Sequence, residues 1–407
     1  MMFFQHLTLG LWGVTVGTYL AANTGSQGTG IFSSGFVGFS TAAGALGSIV
    51  APVLIGFVSD RYVSAQYLLT AANLTCAISV WGMYQTQSEL VFFCLLLAYY
   101  HGFIPAVTLT NKIGLRHLKR RDAEYPIVRS CGTLGWIMAG LFVGLAWPMI
   151  TGESIESSRT PLLLGACAHV LMALLALTLP ATPPERWGTK VVGIREAMFA
   201  KGSILGNRPL VVFLFFSILA SLPSMAYNNF TNLFLNRSGF PSPAALMTVG
   251  QTSEMLFLLA TPLLLARMRF KTLFALGIVA WTLRYSLLAI GSMFEISWPT
   301  YVAILLHGPC YTLIYIVGVM YVDKLGDPAH RGAAQGFHAF ATTGMGHLLG
   351  ALTVGMTQQV FLTPHGVEPP PYQWVPFWLI PAAMSLVTAI LFMLTFSPIP
   401  ATPQDEQ

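Results

Sequence analysis

The stretch from Ala245 to Arg267 reads ALMTVGQTSEMLFLLATPLLLAR and holds a single carboxylate within a mostly apolar run. A run of this length can cross a lipid bilayer as a helix. Glu254 lies near its middle, where insertion of a charged side chain costs about 2.5–3.5 kcal/mol. Gln251 precedes Glu254 by one helical turn, so both side chains share a face. The stretch therefore predicts a membrane helix whose polar face turns away from lipid, towards a partner or a water-filled cavity.

The composition of the whole chain also predicts a membrane protein. Of its 407 residues, 55% are hydrophobic and only 9% are charged, and the mean hydropathy is +0.67. A soluble domain carries about 25% charged residues. The apolar runs are long and helical in spacing, which disfavours a β-barrel. The five cysteines all lie in apolar runs and lack metal-ligand spacing, so neither a disulfide framework nor a metal site is expected. We therefore predict an all-α integral membrane protein.

Twelve apolar segments are long enough to be transmembrane helices by a sliding-window criterion. They cover approximately residues 7–24, 32–58, 63–84, 88–110, 126–149, 161–181, 209–235, 242–266, 271–293, 297–322, 331–361 and 373–396. Both chain ends then lie on one side of the membrane, together with most of the lysines and arginines, whereas Arg159 and Arg237 lie on the other side. Cytoplasmic loops carry the excess of basic residues. We therefore predict a multi-pass protein of the bacterial cytoplasmic (inner) membrane with both termini cytoplasmic.

The longest predicted inner connection, from Thr182 to Arg208, divides these segments into two sets of six. A weak repeat supports the division, because residues 51–56 (APVLIG) and 261–266 (TPLLLA) both end the second helix of a set, before a short basic turn. Duplicated six-helix halves are typical of major facilitator transporters. We therefore predict a major facilitator fold with an N-terminal half at residues 1–181, a cytoplasmic linker at 182–208 and a C-terminal half at 209–407.

Glycines cluster on the predicted second, fifth and eleventh helices. They are Gly35, Gly38, Gly44, Gly47, Gly132, Gly135, Gly140, Gly144, Gly344, Gly346 and Gly350. Small residues let helices approach closely in lipid. We interpret these three helices as packing surfaces and as candidates for the contact between the two halves.

Three further helices carry polar or aromatic side chains at spacings of three or four residues, which places them on one face. They are Arg129, Thr133 and Trp136 on the fifth helix, Asn228, Thr231 and Asn232 on the seventh, and His307, Tyr311 and Tyr315 on the tenth. Each face has a plainer interpretation as well. An arginine near a helix end can reach the cytoplasmic surface, asparagines can bond neighbouring helices, and aromatic rings can pack. Together with Gln251 and Glu254, the three faces predict a polar cavity between helices.

Arg284 lies near the middle of the ninth predicted helix. A guanidinium group cannot lose its proton in a protein, so it needs a partner at that depth. Glu254 is the carboxylate at comparable depth. We expect Arg284 to support the site from behind, either by holding the bundle together or by orienting a residue of the cavity.

The side chains of the predicted cavity match a ligand with two parts. A carboxylate with an amide one turn away can bind vicinal hydroxyls at two points. The rings of Trp136 and Tyr311 can stack on a heterocycle. A nucleoside has both parts, whereas a simple sugar would need more polar groups and a hydrophobic drug fewer.

Six short motifs, taken in order and spacing, carry a resemblance to a known family. They are Leu11-Trp12-Gly13, Asp60-Arg61 with Ser64-Ala65, Arg129-Ser130-Cys131-Gly132-Thr133-Leu134-Gly135, Gln251-Thr252-Ser253-Glu254, Ala280-Trp281-Thr282-Leu283-Arg284 and Arg331-Gly332-Ala333-Ala334-Gln335-Gly336. By these motifs the chain resembles the nucleoside:proton symporters of the major facilitator superfamily over most of its length.

The resemblance implies a set of substrate-binding positions and two departures from the family pattern. The positions are Arg129, Thr133, Trp136, Asn228, Gln251, Glu254, His307 and Tyr311. His307 stands where characterised relatives have a tyrosine. Met225 stands where relatives have an amide, and Thr312 stands where they have an acidic residue that is linked to proton coupling. Glu254 and His307 are therefore the candidates for proton coupling in this chain.

The residues and the resemblance together predict a transporter that imports nucleosides by alternating access, coupled to protons in symport. An uncoupled nucleoside facilitator and a permease for another small polar solute remain as alternatives. An intramembrane enzyme is disfavoured because no nucleophile–base pair is recognisable. We expect no cofactor, no metal and no nucleic-acid partner, and a monomer in the lipid bilayer whose substrates are nucleosides and protons.

Overall fold

The computed structural model of the chain describes residues 1–24, 30–33, 35–119, 121–184, 207–325, 331–362 and 373–397. Within these ranges the chain is helical, and β structure is limited to one isolated bridge between Thr24 and Phe32. The predicted all-α class is therefore confirmed for the part of the chain that the structure describes.

Helices occur at every one of the predicted apolar segments, and several consist of consecutive pieces. In chain order they are α1 (Met2–Gly13, continued by Val16–Ala22), α2 (Phe36–Ser40, continued by Ala42–Arg61), α3 (Ala65–Gln85), α4 (Glu89–His117), α5 (Arg121–Leu141, continued by Phe142–Ala146 and Trp147–Thr151), α6 (Thr160–Leu177), α7 (Arg208–Ser221, continued by Ser224–Arg237), α8 (Pro243–Arg267), α9 (Phe270–Phe294), α10 (Trp298–Leu305, continued by His307–Tyr311, Thr312–Ile316 and Val317–Leu325), α11 (Arg331–Ala339, continued by Phe340–Gly346 and His347–Phe361) and α12 (Trp374–Thr395).

Eight candidate membrane spans lie in the described residues, in α4 to α10 and in α12. The pieces of α1 and α11 are shorter than a membrane span, α2 contributes the shorter apolar helix Phe36–Ile49, and α3 carries the buried polar residues Gln66 and Asn73. A multi-pass helical membrane protein is thus confirmed, and the number of twelve crossings stays a prediction.

The boundaries of some helices differ from the predicted segments. α4 continues to His117 rather than ending near residue 110, and α1 begins at Met2 rather than near residue 7. The extra turns of α4 carry Lys112 and Arg116, which donate hydrogen bonds to the carbonyl oxygens of Ser59 and Pro183 at 2.9 and 2.8 Å. Helical hydrogen bonding continues where a helix leaves the apolar region, so a hydropathy window stops too early.

The helices pack as two bundles. In the first bundle, α1 packs on α5 and α6, α3 packs on α4 and α6, and α2 packs on α4. In the second bundle, α8 packs on α10, α9 packs on α10 and α12, and α7 packs on α11. This arrangement supports the division into two six-helix halves, whose boundaries remain a proposal. Residues 185–206 of the proposed linker lie outside the described residues.

Among the described residues, four helix pairs make the main contacts between the two bundles: α1 with α7, α2 with α7, α2 with α11, and α5 with α8. Glycines permit at least two of these contacts. A Cβ atom built on Gly140 would lie 2.6 Å from Cγ2 of Thr248, and one built on Gly38 would lie 2.5 Å from Cα of Gly355. Other predicted packing glycines, such as Gly350, contact a helix of their own bundle. Small residues therefore mark contacts within bundles as well as contacts between them.

Candidate functional site: a polar cavity between the bundles

A cavity of about 360 Å³ lies between the two bundles. Its walls come from α1, α2, α4 and α5 of the first bundle and from α7, α8 and α10 of the second. Cavities of this size hold small-molecule ligands. All eight predicted substrate-binding residues line it: Arg129, Thr133, Trp136, Asn228, Gln251, Glu254, His307 and Tyr311. The fold therefore brings together side chains from four separate helices in one polar space.

The predicted face of α5 forms part of the cavity wall on the side of the first bundle. Arg129, Thr133 and Trp136 are each partly exposed and line the cavity. Gly132 lies beside this face, and a Cβ atom built on it would meet His6 Nδ1 at 2.8 Å and Arg129 Nη1 at 3.0 Å. The absence of a side chain at Gly132 leaves room for an imidazole and a guanidinium at the cavity edge. Arg129 therefore lines the cavity, and its role in substrate binding stays a prediction.

The opposite wall contains a chain of three polar side chains. His307 Nε2 lies 3.4 Å from Glu254 Oε2, and Arg284 Nη2 donates to His307 Nδ1 at 3.2 Å. Because a guanidinium group can only donate, Nδ1 is the acceptor and the imidazole proton sits on Nε2, facing Glu254. Arg284 is fully buried, and its Cζ atom lies 3.1 Å from the centre of the Tyr227 ring. The fixed cation thus orients the imidazole that touches the carboxylate.

The partner of Arg284 differs from the carboxylate considered from the sequence. His307 stands between Arg284 and Glu254, so the link between the charges is indirect. The aromatic face of Tyr227 supplies a second, cation–π contact. A ring nitrogen and a π-face contact the guanidinium, whose Nε and Nη1 atoms are buried without a hydrogen-bond partner among the described residues, and the Glu254 carboxylate lines the cavity.

Aromatic rings of α10 form a stack along the cavity. The ring centroids of His307 and Tyr311 are 4.2 Å apart and those of Tyr311 and Tyr315 are 5.2 Å apart, with interplanar angles of 25° and 27°. The Tyr311 hydroxyl donates to Asn228 Oδ1 at 2.5 Å, and Tyr315 Oη lies 3.0 Å from His347 Nε2. Stacking and hydrogen bonding together hold the Tyr311 ring in one orientation at the cavity surface.

Thr312 ties α10 to α8 just behind this stack. It is buried, and its hydroxyl donates to the backbone carbonyl of Glu254 at 3.5 Å. It also begins the π-helical turn Thr312–Ile316, and such turns are frequent at functional sites. Thr312 thus places a neutral hydroxyl, hydrogen-bonded to the backbone of α8, where the resemblance implies an acidic side chain.

Gln251 has a hydrogen-bonding group that the described residues leave unused. The residue lines the cavity one turn before Glu254, and its Oε1 atom is buried without a hydrogen-bond partner among the described residues. A buried amide without a partner costs free energy. The Gln251 side chain lines the cavity, but its Oε1 atom is itself buried rather than exposed to the cavity.

The predicted polar face of α7 is only partly a cavity face. Asn228 lines the cavity, whereas Thr231 and Asn232 are buried one turn further along. Asn232 accepts a hydrogen bond from Thr18 Oγ1 at 2.5 Å and donates to Glu156 Oε2 at 2.8 Å. Helical spacing places the three residues on one face, but the cavity ends where α7 meets α1.

The structure also adds lining residues that were not singled out. They include His6, Ser40, Tyr100, Tyr227 and Asn229. Tyr227 and Asn229 flank a predicted residue, so their polarity was the signal available in the sequence. Tyr100 lies next to His101, which is exposed and bonds the Leu97 carbonyl of its own helix. Small hydroxyl residues such as Ser40 give no such signal, because they occur throughout membrane helices.

Two helical bundles with a polar cavity between them define a membrane transporter with the major facilitator fold. The chain matches the family described as nucleoside H⁺ symporter over residues 1–400, and it belongs to that family. It is 32% identical to the putative nucleoside transporter YegT of Escherichia coli (strain K12), over 97% of this chain and 92% of that protein. It is 28% identical to the nucleoside permease NupG of the same organism, over 97% of this chain and 94% of that protein.

A crystal structure of a variant of the nucleoside transporter NupG has the same fold. The two structures superpose with a TM-score of 0.85 at 25% identity, and the match covers 97% of this chain and 98% of the other. The family and its structural relatives are transporters, so the chain is a transporter rather than an enzyme.

Proposed function

We propose that this protein imports nucleosides together with protons across the cytoplasmic membrane and that the central cavity binds the nucleoside. The polar cavity walls and the family membership support this proposal. The observation that carries it is Glu254, a carboxylate whose side chain is 32% exposed and lines a cavity inside the membrane. Its exposed oxygen positions are acceptors that suit a ligand with hydroxyl donors.

In this proposal Glu254 and Gln251 bind the ribose. The Glu254 carboxylate accepts a hydrogen bond from one of the vicinal hydroxyls, and the side-chain amide of Gln251, which lines the cavity one turn away, bonds the other. Trp136 stacks on the base, a contact worth about 1–3 kcal/mol per base in other systems, and Tyr311, whose ring packs between His307 and Tyr315, contacts the ligand from the opposite wall. The ligand then touches both bundles, since Trp136 belongs to the first bundle and Tyr311 to the second. Binding in this way couples the ligand to the relative movement of the bundles.

Arg129, Thr133 and Asn228 complete the proposed site. Arg129 offers donors to ring nitrogens or carbonyl oxygens of a base, and Thr133 adds a hydroxyl on the same wall. The Asn228 side chain is held by the Tyr311 hydroxyl, so its Nδ2 group remains as a donor for the ligand. These positions combine fixed donors with flat ring faces.

For proton coupling we propose the pair of Glu254 and His307. Their contact of 3.4 Å joins two protonatable groups, and Arg284 keeps Nδ1 of the imidazole occupied. A proton that arrives at Glu254 therefore changes the carboxylate that binds ribose. Because the substrate and the proton both bind the Glu254 carboxylate, binding of one changes the affinity for the other.

The direct test is uptake of radiolabelled nucleoside by vesicles that contain the Glu254→Gln variant. We expect concentrative uptake to be lost at unchanged expression, because the amide keeps the size of the side chain but loses the charge and one acceptor. Glu295→Gln is the matched control, since Glu295 is exposed at the end of α9. Normal concentrative uptake by Glu254→Gln would refute the proposed role.

A second candidate is nucleoside transport without proton coupling. It is favoured by Thr312, because a threonine hydroxyl does not bind and release a proton as a carboxylate does. Proteoliposomes with a pH indicator inside decide between the two. Acidification of the lumen on addition of nucleoside excludes the uncoupled transporter. Nucleoside entry at constant internal pH excludes the symporter.

We also propose that both termini are cytoplasmic and that the transporter is a monomer in the bilayer. The distribution of basic residues supports the orientation. Protease protection of terminal tags in right-side-out vesicles tests the orientation, and the mass of the detergent-solubilised protein tests the monomer.

A further inference from the structure

A second glutamate, Glu156, is buried where the bundles meet at one end of the molecule. It lies in the loop of residues 152–159 between α5 and α6, and only 1% of its surface is exposed. Its Oε2 atom accepts hydrogen bonds from Nδ2 of Asn232 at 2.8 Å and of Asn236 at 3.1 Å. Its Oε1 atom accepts from the backbone N–H of Ala244 at 3.1 Å. All three donors belong to the second bundle, so this carboxylate ties the first bundle to the second.

The surroundings of Glu156 suit a carboxylate in particular. Ala244 lies in the first turn of the 25-residue helix α8, where unpaired N–H groups and the helix dipole favour a negative charge. The other two donors are side-chain amides, and hydrogen bonds to an ionised acceptor are strong. An amide in place of the carboxylate would present a donor to one of these donors and lose that bond.

The connection continues on both sides of Glu156. Thr18 Oγ1 on α1 donates to Asn232 Oδ1 at 2.5 Å, which turns Nδ2 of that amide towards Glu156. A path from Thr18 to Asn232, Glu156 and Ala244 therefore passes between the bundles three times. We call these four residues and Asn236 the latch.

The latch and one part of the cavity wall lie at opposite ends of the helices. His6 and Arg129 line the cavity near the beginnings of α1 and α5. Thr18 lies near the end of α1, and Glu156 follows the end of α5. The latch thus closes the molecule on the far side of the cavity. Alternating access requires each side to open in turn.

We propose that Glu156 is a gating residue of the transport cycle. Its carboxylate holds the bundles closed at this end, and it must release its three donors before substrate can enter from that side. The inference rests on the proposed alternating-access transport, but it concerns the populations of the two states rather than substrate binding.

The test measures the distance across this end in the full-length protein. Spin labels are placed at Ser157 and Ser238, exposed positions in the loops α5–α6 and α7–α8, after serine replaces the exposed Cys94, Cys131 and Cys167. For Glu156→Gln we expect a second, longer distance and at least a ten-fold change in the ratio of closed to open populations. Glu153→Gln, an exposed glutamate in the same loop, is the matched control and should keep the parent distribution.

Transport kinetics give a second readout that a merely structural role would not produce. We expect Glu156→Gln to lower the KM for nucleoside added from outside and to lower the maximal rate, because the open state accumulates. An unchanged distance distribution together with unchanged kinetics would overturn the gating role. If Glu156→Gln does not fold, Asn236→Ala removes one donor only, and the same longer distance is expected from it; its absence would count against the proposal.

The distance measurement needs no substrate, so its outcome is separate from that of the proposed function. A shift in Glu156→Gln without any nucleoside transport by the parent protein would support the gate and refute the transported substrate. Nucleoside transport by the parent protein, with no distance shift in Glu156→Gln, would support the transported substrate and refute the gate.

Discussion

Two glutamates, Glu254 and Glu156, lie between the bundles. They differ in how many of their carboxylate acceptor positions are hydrogen-bonded by groups of the protein. The Glu254 side chain is 32% exposed in the cavity, and its carboxylate lies 3.4 Å from Nε2 of His307. Glu156 is 1% exposed, and both of its oxygens accept hydrogen bonds from protein donors. An ionised carboxylate has about four acceptor positions. Glu254 therefore has capacity for a ligand, whereas the protein itself satisfies Glu156.

The comparison shows how one residue type can serve two tasks in the same molecule. A buried charge needs compensation, and the kind of compensation indicates the role. At Glu254 compensation comes from an imidazole and the cavity, so it can change when ligand or proton arrives. At Glu156 it comes from groups of the opposite bundle, so it changes only when the bundles separate.

The largest effect on this comparison is expected from Arg284→Gln. Without the guanidinium, His307 loses the donor that fixes its tautomer, and Tyr227 loses its cation. Because a buried hydrogen bond with a charged group is worth about 1.5–3 kcal/mol, uptake should fall by roughly ten- to a hundred-fold. Uptake by vesicles measures this fall, and calorimetry measures nucleoside binding. Arg269→Gln is the control, because Arg269 is exposed. Full activity would show that the Glu254–His307 pair needs no support.

A smaller effect is expected from His307→Phe. The ring keeps its stack on Tyr311, but both nitrogens are lost, and with them the contact to Glu254. Nucleoside binding should weaken by roughly ten-fold, and proton movement per nucleoside should drop further. Parallel measurement of nucleoside and proton uptake in proteoliposomes separates the two. Unchanged stoichiometry would exclude His307 from coupling and leave Glu254 alone.

Tyr311→Phe should have a milder effect on the cavity. The substitution removes the hydroxyl that donates to Asn228 and keeps the ring. A neutral hydrogen bond contributes about 0.5–1.5 kcal/mol, so affinity should fall by roughly two- to ten-fold. Equilibrium binding to the purified protein measures this change. A larger loss would mean that the hydroxyl itself contacts the nucleoside.

An effect of similar size, on the latch rather than on the cavity, is expected from Thr18→Val. The change keeps the shape of the side chain and removes the donor that orients Asn232. The closed-to-open ratio should shift by roughly two- to ten-fold, as for one neutral hydrogen bond. The label distance across the latch measures it. A weaker equilibrium affinity of Thr18→Val for nucleoside would contradict the assignment of separate roles to the latch and the cavity.

The membrane helices and the cavity-lining positions could be predicted because they follow from local rules. An apolar run of about 20 residues determines a span, and a spacing of three or four residues determines a helix face. Both rules hold for Gln251 with Glu254 and for Arg129 with Thr133 and Trp136, which all line the cavity. The boundaries of α1 and α4 were missed because hydropathy does not follow the hydrogen bonds that end a helix.

The partners of the buried charges depended on the tertiary structure. Arg284 meets His307 from the next helix along the chain, and Glu156 meets Asn232 and Ala244 from the other bundle. Glu156 lies in a short loop among polar residues, so its sequence environment is that of an exposed side chain. Burial there results from the closing of two bundles over the loop.

The sequence alone thus determined the membrane location, the helical class and the side chains that turn away from lipid, since each depends on residues within one or two turns of one another. Only the tertiary structure decided which polar groups face a ligand and which face each other. That choice depends on how two bundles far apart in the chain are placed together, and helical periodicity carries no information about that placement.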